Sequence, residues 1–397
     1  MSTPLSPLNP PRRLLFGPGP TMVDPRVYQA MTKTVVSHLD PYFFEVVEDC
    51  RRLLRVAFGT ANEFTLAMSG TGSAGMQTAV ANFVEPGSTF VVLAAGFFAD
   101  RMSEMGRRQG ANVIRIEKPW GEAFDQNEVA AKIRELKPNV VGFVQAETST
   151  GVFQNSEILC AAAHEVGALT MSDCVTSLGA MPVELDKQGI DIGYSCTQKG
   201  MSCPPGLAPV TVSPRAMEWL KARKTTPADW YLDLKLLADY YEGAHRYHHT
   251  APISLFYALR EGLSVINDEG IENRWLRHKL SHEMFVAGVE AMGLRMHVKA
   301  GNRIWNLNTP VIPEGVDDLK VRKRLLAATD IEISGGFGPL AGKVFRVGIM
   351  GPLATEDNTL LLLKGMQDAL AGEGFAVKGD AVAAAQAAVT WPVAQLV

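Results

Sequence analysis

The sequence predicts an α/β fold, in which a mostly parallel sheet is sandwiched by helices and followed by a smaller C-terminal α+β domain. Between about residues 25 and 215, short apolar segments alternate with helical patterns, as in parallel strands joined by helices. Several apolar segments are rich in β-branched residues and bounded by Gly or Pro, which is typical of strands buried on both faces. A chain of 397 residues can build such a core without disulfide or metal crosslinks.

Seven apolar segments are predicted as strands. In chain order they cover residues 64–68, 89–93, 113–116, 140–145, 169–172, 192–195 and 207–212. Helices are predicted between several of them, over residues 74–83, 100–109, 127–136 and 156–166. One longer helix is predicted over residues 255–290, and the shorter segments after it predict the small α+β domain.

The chain is predicted to have four parts. Residues 1–24 form an N-terminal arm, whose first 20 residues hold six prolines and end in Gly17-Pro18-Gly19-Pro20. So many prolines exclude a regular helix or sheet there. Residues 25–270 form the large domain and residues 271–378 the small domain. Residues 379–397 form an Ala-rich tail, to which the sequence assigns no chemistry.

Charge and cysteine content narrow the class of protein. The chain has 38 Lys+Arg and 42 Asp+Glu, a net charge of −4, which argues against nucleic acid or a membrane surface as partner. Its five cysteines include no CxxC pair, which predicts reduced thiols and a cytoplasmic location. No apolar run reaches the about 20 residues of a membrane helix, and no secretory signal is visible. No HExxH or Cys/His spacing indicates a metal site.

The motif Gly70-Thr71-Gly72-Ser73-Ala74-Gly75 lies between a predicted strand and a predicted helix. It matches G-x-G-x-x-G, the dinucleotide fingerprint, but a lone match is weak. A dinucleotide site also needs an acidic residue after the next strand, and that strand ends in Leu93-Ala94-Ala95-Gly96. Backbone N–H groups at a helix N terminus and two hydroxyls suit a monophosphate better. A phosphate cup is therefore favoured, and an NAD(P)-dependent oxidoreductase stays an alternative.

Two charged residues follow predicted strands, at the edge where ligands of α/β sheets bind. Asp173 comes directly after an apolar run, and a helix cap or a buried ion pair is its alternative role. Lys199 is flanked by small residues and the turn Pro204-Pro205-Gly206, and a surface lysine is the alternative. A phosphate cup, an aspartate and a lysine along one edge are what pyridoxal phosphate (PLP) requires. The aspartate would keep the pyridine nitrogen protonated, and the lysine would form the Schiff base.

The wider pattern of the chain resembles the class V aminotransferases of fold type I, most closely the alanine–glyoxylate aminotransferase group. The resemblance runs from about Leu14 to Leu370 and rests on five motifs in the family's order. They are Leu15-Phe16-Gly17-Pro18-Gly19-Pro20, Glu147-Thr148-Ser149-Thr150-Gly151-Val152, Gln198-Lys199 with Pro204-Pro205-Gly206-Leu207, Tyr247-His248-His249-Thr250-Ala251-Pro252, and Phe345-Arg346-Val347-Gly348. Fold type I implies a seven-stranded, mostly parallel sheet, with residues 25–270 as the PLP-binding domain.

The resemblance also implies a role for each matching position. Lys199 matches the catalytic Schiff-base lysine, and Asp173 matches the catalytic partner of the pyridinium nitrogen. The other cofactor-binding positions are Thr71, Gly72 and Ser73 at the phosphate, Gln198 nearby, Phe98 and Val175 on the two ring faces, and Thr148 at the cofactor or substrate. Arg346 matches the arginine that binds the substrate carboxylate, and Gly19 belongs to the same pocket.

Two further matches concern a second subunit. Tyr247 and Thr250 match residues that reach the phosphate of the neighbouring subunit, which implies a homodimer with its active sites at the interface. Ala95 and Ala99 stand where relatives often carry Asn and Gly, so the resemblance fixes the cofactor more firmly than the substrate.

The function implied is a transaminase. It would move an amino group from a small L-amino acid, alanine or else serine, to glyoxylate or a similar short 2-oxo acid, by a ping-pong mechanism through pyridoxamine phosphate. With one carboxylate-binding arginine identified and no second basic residue visible, monocarboxylic donors are expected over aspartate or glutamate. Ureidoglycine or pyridoxamine as donor stays an alternative. A cysteine desulfurase is disfavoured because it would need a cysteine in its C-terminal part, and the last one is Cys203.

Overall fold

The computed structural model of the chain describes residues 5–391. In chain order, the strands are β1 (Leu14–Leu15), β2 (Phe64–Ser69), β3 (Thr89–Ala94), β4 (Asn112–Glu117), β5 (Val140–Val144), β6 (Ala146–Glu147), β7 (Val152–Phe153), β8 (Leu169–Asp173), β9 (Ile192–Tyr194), β10 (Leu207–Val212), β11 (Leu307–Asn308), β12 (Ile331–Glu332), β13 (Ser334–Gly335) and β14 (Phe345–Gly348). The helices are α1 (Pro25–Met31), α2 (Pro41–Phe58), α3 (Gly72–Phe83), α4 (Phe97–Arg108), α5 (Gln126–Leu136), α6 (Glu157–Glu165), α7 (Leu185–Gln188), α8 (Pro214–Ala222), α9 (Leu234–Tyr241), α10 (Ile253–Glu269), α11 (Ile271–Ala291), α12 (Asp318–Thr329), α13 (Glu356–Gly372) and α14 (Ala381–Ala388).

Seven strands form the central sheet, in the order β2-β10-β9-β8-β5-β3-β4. Every neighbouring pair from β9 to β4 is parallel, whereas β10 runs antiparallel to both β2 and β9. All residues of β5, β8, β9 and β10 are buried, which explains why these segments are apolar throughout rather than alternating. Each predicted strand lies in this sheet, so the predicted seven-stranded, mostly parallel architecture is confirmed.

The helices differ in whether a side chain caps their first turn, and this difference matters at the carboxyl edge of the central sheet. Several helices begin at a side chain that caps the first turn: Asp40, for example, accepts a 2.9 Å hydrogen bond from the N–H of Tyr42. Helix α3 is different, because Thr71 occupies the N-cap position but its side chain makes no capping bond. The first turn of α3 therefore presents N–H groups without a side-chain cap at the carboxyl edge of the sheet.

The helix predicted over residues 255–290 is interrupted, so the prediction of one continuous helix was wrong. Helix α10 ends at Glu269 and α11 begins at Ile271, with Gly270 between them at φ +82°. That conformation is accessible to glycine at little cost. The break redirects the chain, because α10 packs in the core around the sheet, whereas α11 contributes Met284 and Phe285 to a second core.

Two large hydrophobic clusters divide the chain. The larger runs from Val27 to Ile266 and surrounds the central sheet. The smaller takes its residues from the C-terminal part and from Phe16 of the N-terminal arm, whose strand β1 pairs in parallel with β12. The expectation that the first 20 residues contain no strand was therefore wrong, because Leu14 and Leu15 lie between the prolines and can pair. The clusters agree with a large and a small domain, and the exact boundaries stay predictions.

The Ala-rich segment is not simply a tail. Residues 381–388 form α14, which packs against α11, and Ala381 and Ala385 are fully buried in the smaller core. Small side chains allow this close approach, since a Cβ on Gly288 would lie 2.9 Å from the carbonyl oxygen of Ala381. Residues 381–388 therefore belong to the small-domain core, a correction to the predicted tail, and residues 392–397 lie outside the described part.

Within residues 5–391, no helix is both long enough and apolar enough to cross a bilayer. The same part of the chain contains no group of three or more His, Cys, Asp or Glu side chains arranged to bind a metal. All five cysteines are free and buried.

Candidate active site

A cavity of about 410 Å³ opens at the carboxyl edge of the central sheet. Loops that follow β2, β3, β5, β8 and β9 form its walls, together with the N-terminal arm and β14. All the predicted site residues except Tyr247 and Thr250 line it: Gly19, Thr71, Gly72, Ser73, Phe98, Thr148, Asp173, Val175, Gln198, Lys199 and Arg346. A larger groove of about 740 Å³ lies along α1, α2 and α10 and contains none of them.

Lys199 is buried in this cavity, on the loop that follows β9. Its Nζ donates hydrogen bonds to Thr148 Oγ1 at 2.8 Å and to Thr176 Oγ1 at 2.9 Å. Burial lowers the pKa of Lys199, because desolvation disfavours the ammonium form. In its neutral form the amine has two N–H bonds, so with these two donations its lone pair would be free for chemistry.

The Lys199 side chain and the backbone next to it are both held by close contacts. A Cβ on Gly19 would lie 3.1 Å from Lys199 Cε, so the N-terminal arm packs directly against the lysine side chain. A Cβ on Gly200 would collide with the carbonyl oxygen of Leu178, so this close backbone contact requires glycine. Behind the loop, Arg274 donates to the Gly200 carbonyl at 2.7 Å. The lysine is therefore fixed by its surroundings rather than extended into solvent.

Asp173 is the last residue of β8, and its carboxylate is buried. Oδ1 accepts a 2.8 Å hydrogen bond from the N–H of Val175, and Oδ2 accepts a 3.2 Å hydrogen bond from the hydroxyl of Tyr194, its register partner on β9. Burial raises the pKa of Asp173 from 3.8 to about 6, although the Val175 hydrogen bond and the charge of Lys199 oppose the shift. A nearby cation would return the group to its ionised form.

The predicted phosphate cup forms the first turn of α3. Because Thr71 does not cap this turn, its N–H groups and the helix dipole can act on an anion. Gly72 packs tightly here, since a Cβ would lie 3.0 Å from Cys196 Cβ. Gln198 Oε1 is buried beside the cup and has no hydrogen-bond partner in the described part of the chain. The N–H groups of the turn can donate to a bound anion, whereas the Gln198 oxygen can only accept a hydrogen bond from a donor on a bound group.

Glu147 positions Phe98 at the other wall. Its Oε2 accepts hydrogen bonds from the N–H of Phe98 at 3.2 Å and of Ala99 at 3.4 Å, at the N terminus of α4. Burial raises the pKa of Glu147, whereas hydrogen bonds from Ser149 oppose the shift. Gly96 leaves room for this carboxylate, because a Cβ there would collide with it.

Arg346 lies on β14 at the end of the cavity where its charge acts on Lys199. Its Nε donates to the Gly335 carbonyl at 2.9 Å, and its Cζ lies 4.3 Å from the ring centroid of Phe337. Burial lowers the pKa of Arg346 from 12.5 to about 10, which leaves it cationic at neutral pH. Its terminal nitrogens have no hydrogen-bond partner among the residues described. A guanidinium in this state can bind a carboxylate with both terminal nitrogens.

Three residues of the site were missed by the sequence analysis. Thr176 bonds to Lys199, and Met76 and Arg101 line the cavity. Arg101 is a second basic residue in the cavity, so the expectation that none accompanies Arg346 was wrong. On α4 it lies three residues after Phe98, and such residues share a helix face, but the predicted helix began at residue 100 and left Phe98 outside. Thr176 gave no signal at all.

Comparisons with known proteins agree with this geometry. Residues 13–338 match the family model described as aminotransferase class-V. The chain belongs to the class V aminotransferases. It is 35% identical over 370 residues to an alanine–glyoxylate aminotransferase of Felis catus, a match that covers 92% of this chain and 89% of that one.

Solved structures of similar aminotransferases share the fold. The alanine–glyoxylate aminotransferase from Nostoc sp. superposes with a TM-score of 0.91 at 44% identity, covering 93% of this chain and 98% of that chain. The ureidoglycine–glyoxylate aminotransferase from Bacillus subtilis superposes with a TM-score of 0.94 at 35% identity, covering 96% and 99%. The predicted family and fold type are confirmed.

Proposed function

We propose that this aminotransferase uses PLP to move an amino group from a small L-amino acid, alanine first and serine next, to glyoxylate or a similar short 2-oxo acid. The observation that carries the proposal is one cavity shared by the buried amine of Lys199, Asp173, the uncapped start of α3 and Arg346. The names of the similar proteins from Felis catus and Nostoc sp. support alanine and glyoxylate as substrates.

The residues of the cavity fit PLP in shape and chemistry. Thr71, Gly72 and Ser73 would hold the phosphate at the N terminus of α3, and Gln198, whose side-chain amide also carries N–H donors, lines the same cavity. Asp173 would accept a hydrogen bond from the protonated ring nitrogen. Phe98 and Val175 would cover the two ring faces, and Thr148 would donate near the reacting end.

The chemistry follows from what each side chain can do. When bound, PLP supplies an electron sink for the charge that develops at the α-carbon of the amino acid. Lys199, with its lowered pKa, would attach the cofactor until the amino group of the donor takes its place there, and the released amine would then remove and return the α-proton. Arg346 would hold the α-carboxylate through its unpaired terminal nitrogens, which fixes the α-carbon beside Lys199.

The walls around Arg346 support a small donor with one carboxylate. The ring of Phe337 lies against the guanidinium, and the ring of Phe97 lies 5.0 Å from that of Phe337. Neither ring lines the cavity, and the second arginine that does, Arg101, is bonded to Ser73 at the start of α3. A second carboxylate would therefore find no arginine left to pair with among the residues that line the cavity. Desolvating an unpaired charge there is unfavourable. Aspartate and glutamate should therefore be poor donors.

We also propose a homodimer in which Tyr247 and Thr250 reach the phosphate of the partner's site. Both side chains are exposed and neither lines the cavity of its own chain, which supports a role in the partner subunit. Trp230 is also exposed and stacks on His248, the residue after Tyr247. The five free, buried cysteines support a cytoplasmic location.

The test is spectroscopic and needs only the purified protein. Alanine should shift the absorption band of the bound cofactor, and glyoxylate should restore it, with parallel lines in a ping-pong kinetic plot. Serine should act more slowly, and aspartate at least about tenfold more slowly, since desolvating its second carboxylate without a partner should cost about 1.4 kcal/mol or more. A protein without such a band, or one that prefers aspartate, would contradict the proposal.

Ureidoglycine deserves the same assay, because the Bacillus subtilis structure superposes with a TM-score of 0.94 and bears that substrate's name. A higher kcat/KM with ureidoglycine than with alanine would replace the donor and leave the acceptor and cofactor unchanged. The same assay tests pyridoxamine as the amino donor. Membership of an aminotransferase family argues against the NAD(P)-dependent alternative.

A further inference from the structure

We infer that Arg101 is the counter-ion of the phosphate cup, and that it orients the Ser73 hydroxyl toward the cofactor's phosphate. The inference rests on the proposed use of PLP and adds a positively charged residue to a cup that otherwise contains neutral groups. Neither the sequence motifs nor the family resemblance assigned Arg101 a role.

The position of Arg101 links two walls of the cavity. It lies in the second turn of α4, and its guanidinium crosses to the first turn of α3, where Nη1 donates to Ser73 Oγ at 2.7 Å. On the way it packs on two rings, with its Cζ 5.0 Å from the centroid of Phe98 and 5.1 Å from that of Phe97. Arg101 therefore touches both the cup and the residue predicted to cover the cofactor ring.

The charge of Arg101 is uncompensated in the described part of the chain. The adjacent carboxylate, Asp100, pairs with Arg115 at 2.7 Å instead, and Arg101 itself has no carboxylate partner within residues 5–391. A phosphate monoester carries about −1.5 to −2 charges at neutral pH. Thr71, Gly72, Ser73 and Gln198 offer only neutral donors, so Arg101 is the cation available at this end of the cavity.

The direction of the hydrogen bond adds a second argument. A guanidinium has only donors, so Ser73 Oγ must be the acceptor in its contact with Arg101. The hydroxyl proton of Ser73 is then left to donate elsewhere, and a phosphate oxygen at the start of α3 is the acceptor that suits it. Arg101 thus acts on the anion both by its charge and by turning Ser73 into a donor.

The two arginines of the cavity act at different ends of it. Arg346 acts on Lys199 and Glu147, whereas Arg101 lies near enough to Asp173 for its charge to act on that carboxylate. A substrate carboxylate beside Lys199 therefore meets Arg346. The phosphate at the start of α3 meets Arg101.

The experiment compares two ligands that differ only in the phosphate. Full-length protein freed of cofactor is titrated with PLP and, separately, with pyridoxal, which lacks the phosphate group. Arg101→Met keeps the aliphatic length but removes the charge, and it should weaken PLP binding by about 10- to 100-fold, the range of a charged hydrogen bond. Its affinity for pyridoxal should stay within about twofold of the wild type.

Two further variants separate charge from packing. Arg108→Met, on the same helix but paired with Glu104 at the surface, is the control and should leave both affinities unchanged. Arg101→Lys keeps a cation without the planar fork, so it should bind PLP better than Arg101→Met. Inorganic phosphate should raise the melting temperature of the cofactor-free wild type more than that of Arg101→Met.

Three results would overturn the inference. Equal losses for PLP and pyridoxal would make Arg101 a packing residue of the ring pocket, as would tighter PLP binding by Arg101→Met than by Arg101→Lys. Unchanged PLP affinity with a raised KM for alanine would make it a substrate-binding residue. In all three cases the wild type still transaminates, so the proposed function stands. A wild type that binds no PLP and transaminates nothing would remove both proposals.

Discussion

The cavity and the junction of helices α10 and α11 both contain buried ionisable side chains. They differ in whether these side chains have partners of opposite charge. At the junction, Glu269 lies 2.8 Å from Arg274 and 2.7 Å from Arg277, so each charge has an opposite partner. In the described part of the cavity, neither Lys199 nor Asp173 forms a salt bridge, and both pKa values are shifted toward the neutral form. The paired charges at the junction stabilise the structure, whereas the unpaired Lys199 and Asp173 keep the capacity to react.

The junction joins the two cores through backbone carbonyls. Arg274 donates to Gly179 at 2.9 Å and to Gly200, the residue after Lys199. Arg277 donates to the carbonyls of Gly351 and Ala354 at 2.7 Å each. The two guanidinium groups thus use most of their donors on the chain itself.

The comparison predicts that Lys199→Ala has the largest effect on activity. Transamination should fall by at least about 10³-fold, because the variant loses the amine that would attach the cofactor and move the α-proton. The free energy of unfolding should fall little, since Lys199 makes no salt bridge. Steady-state kinetics and urea unfolding measure the two effects, and a normal rate would show that Lys199 is not the reactive amine.

Glu269→Ala should reduce stability strongly and function little, the opposite of Lys199→Ala. It leaves Arg274 and Arg277 buried without their partner, which should lower the free energy of unfolding by about 3–5 kcal/mol. The fraction that stays folded should keep most of its affinity for alanine, because Glu269 does not line the cavity. Glu104→Ala, which removes a half-exposed carboxylate paired with Arg108 at the surface, is the matched control and should change the free energy of unfolding little.

Asp173→Asn should stabilise the cofactor-free protein at neutral pH while it reduces activity. The raised pKa means that the protonated carboxyl stabilises the fold below pH 3.8 and that this contribution is lost as the pH rises through about 6. A shift of about two units corresponds to about 3 kcal/mol. The stability of the variant relative to wild type should therefore rise by that order between pH 4 and pH 7. Urea unfolding across this range would contradict the prediction if the difference stayed constant.

Tyr194→Phe should have the smallest effect. It removes the hydrogen bond to Asp173 Oδ2 without opening a cavity, at a cost of about 1 kcal/mol. Loss of that donor should raise the pKa of Asp173 further, so the pH profile of PLP binding should move to higher pH. An unchanged profile would separate Tyr194 from the ionisation of Asp173.

Much of the fold was accessible from the sequence because the strands are buried on both faces. Apolar runs such as Val140–Val144 and Leu207–Val212 have no other stable location in a chain of this composition. The site was accessible where a motif follows a strand, as for Asp173 and Lys199. Local pattern and chain order are sufficient for these positions.

The remaining features depend on contacts distant in sequence. Gly270 looks like a tolerated glycine within a helix, and only the packing of α11 on the second core shows why the helix must stop. The Ala-rich segment has no periodic pattern, yet α11 and the small core give Ala381 and Ala385 a buried face. Arg101 resembles a surface arginine until α3 is placed opposite α4.

The N-terminal arm has a mechanical consequence. Phe16 is anchored in the small core, Gly19 presses on the Lys199 side chain, and the N–H of Thr21 donates to the carbonyl of Gln198 at 3.0 Å. Within six residues the arm ties the small core to the loop that carries the lysine. A rotation of the small core relative to the central sheet would therefore move the arm and the loop that carries Lys199 together.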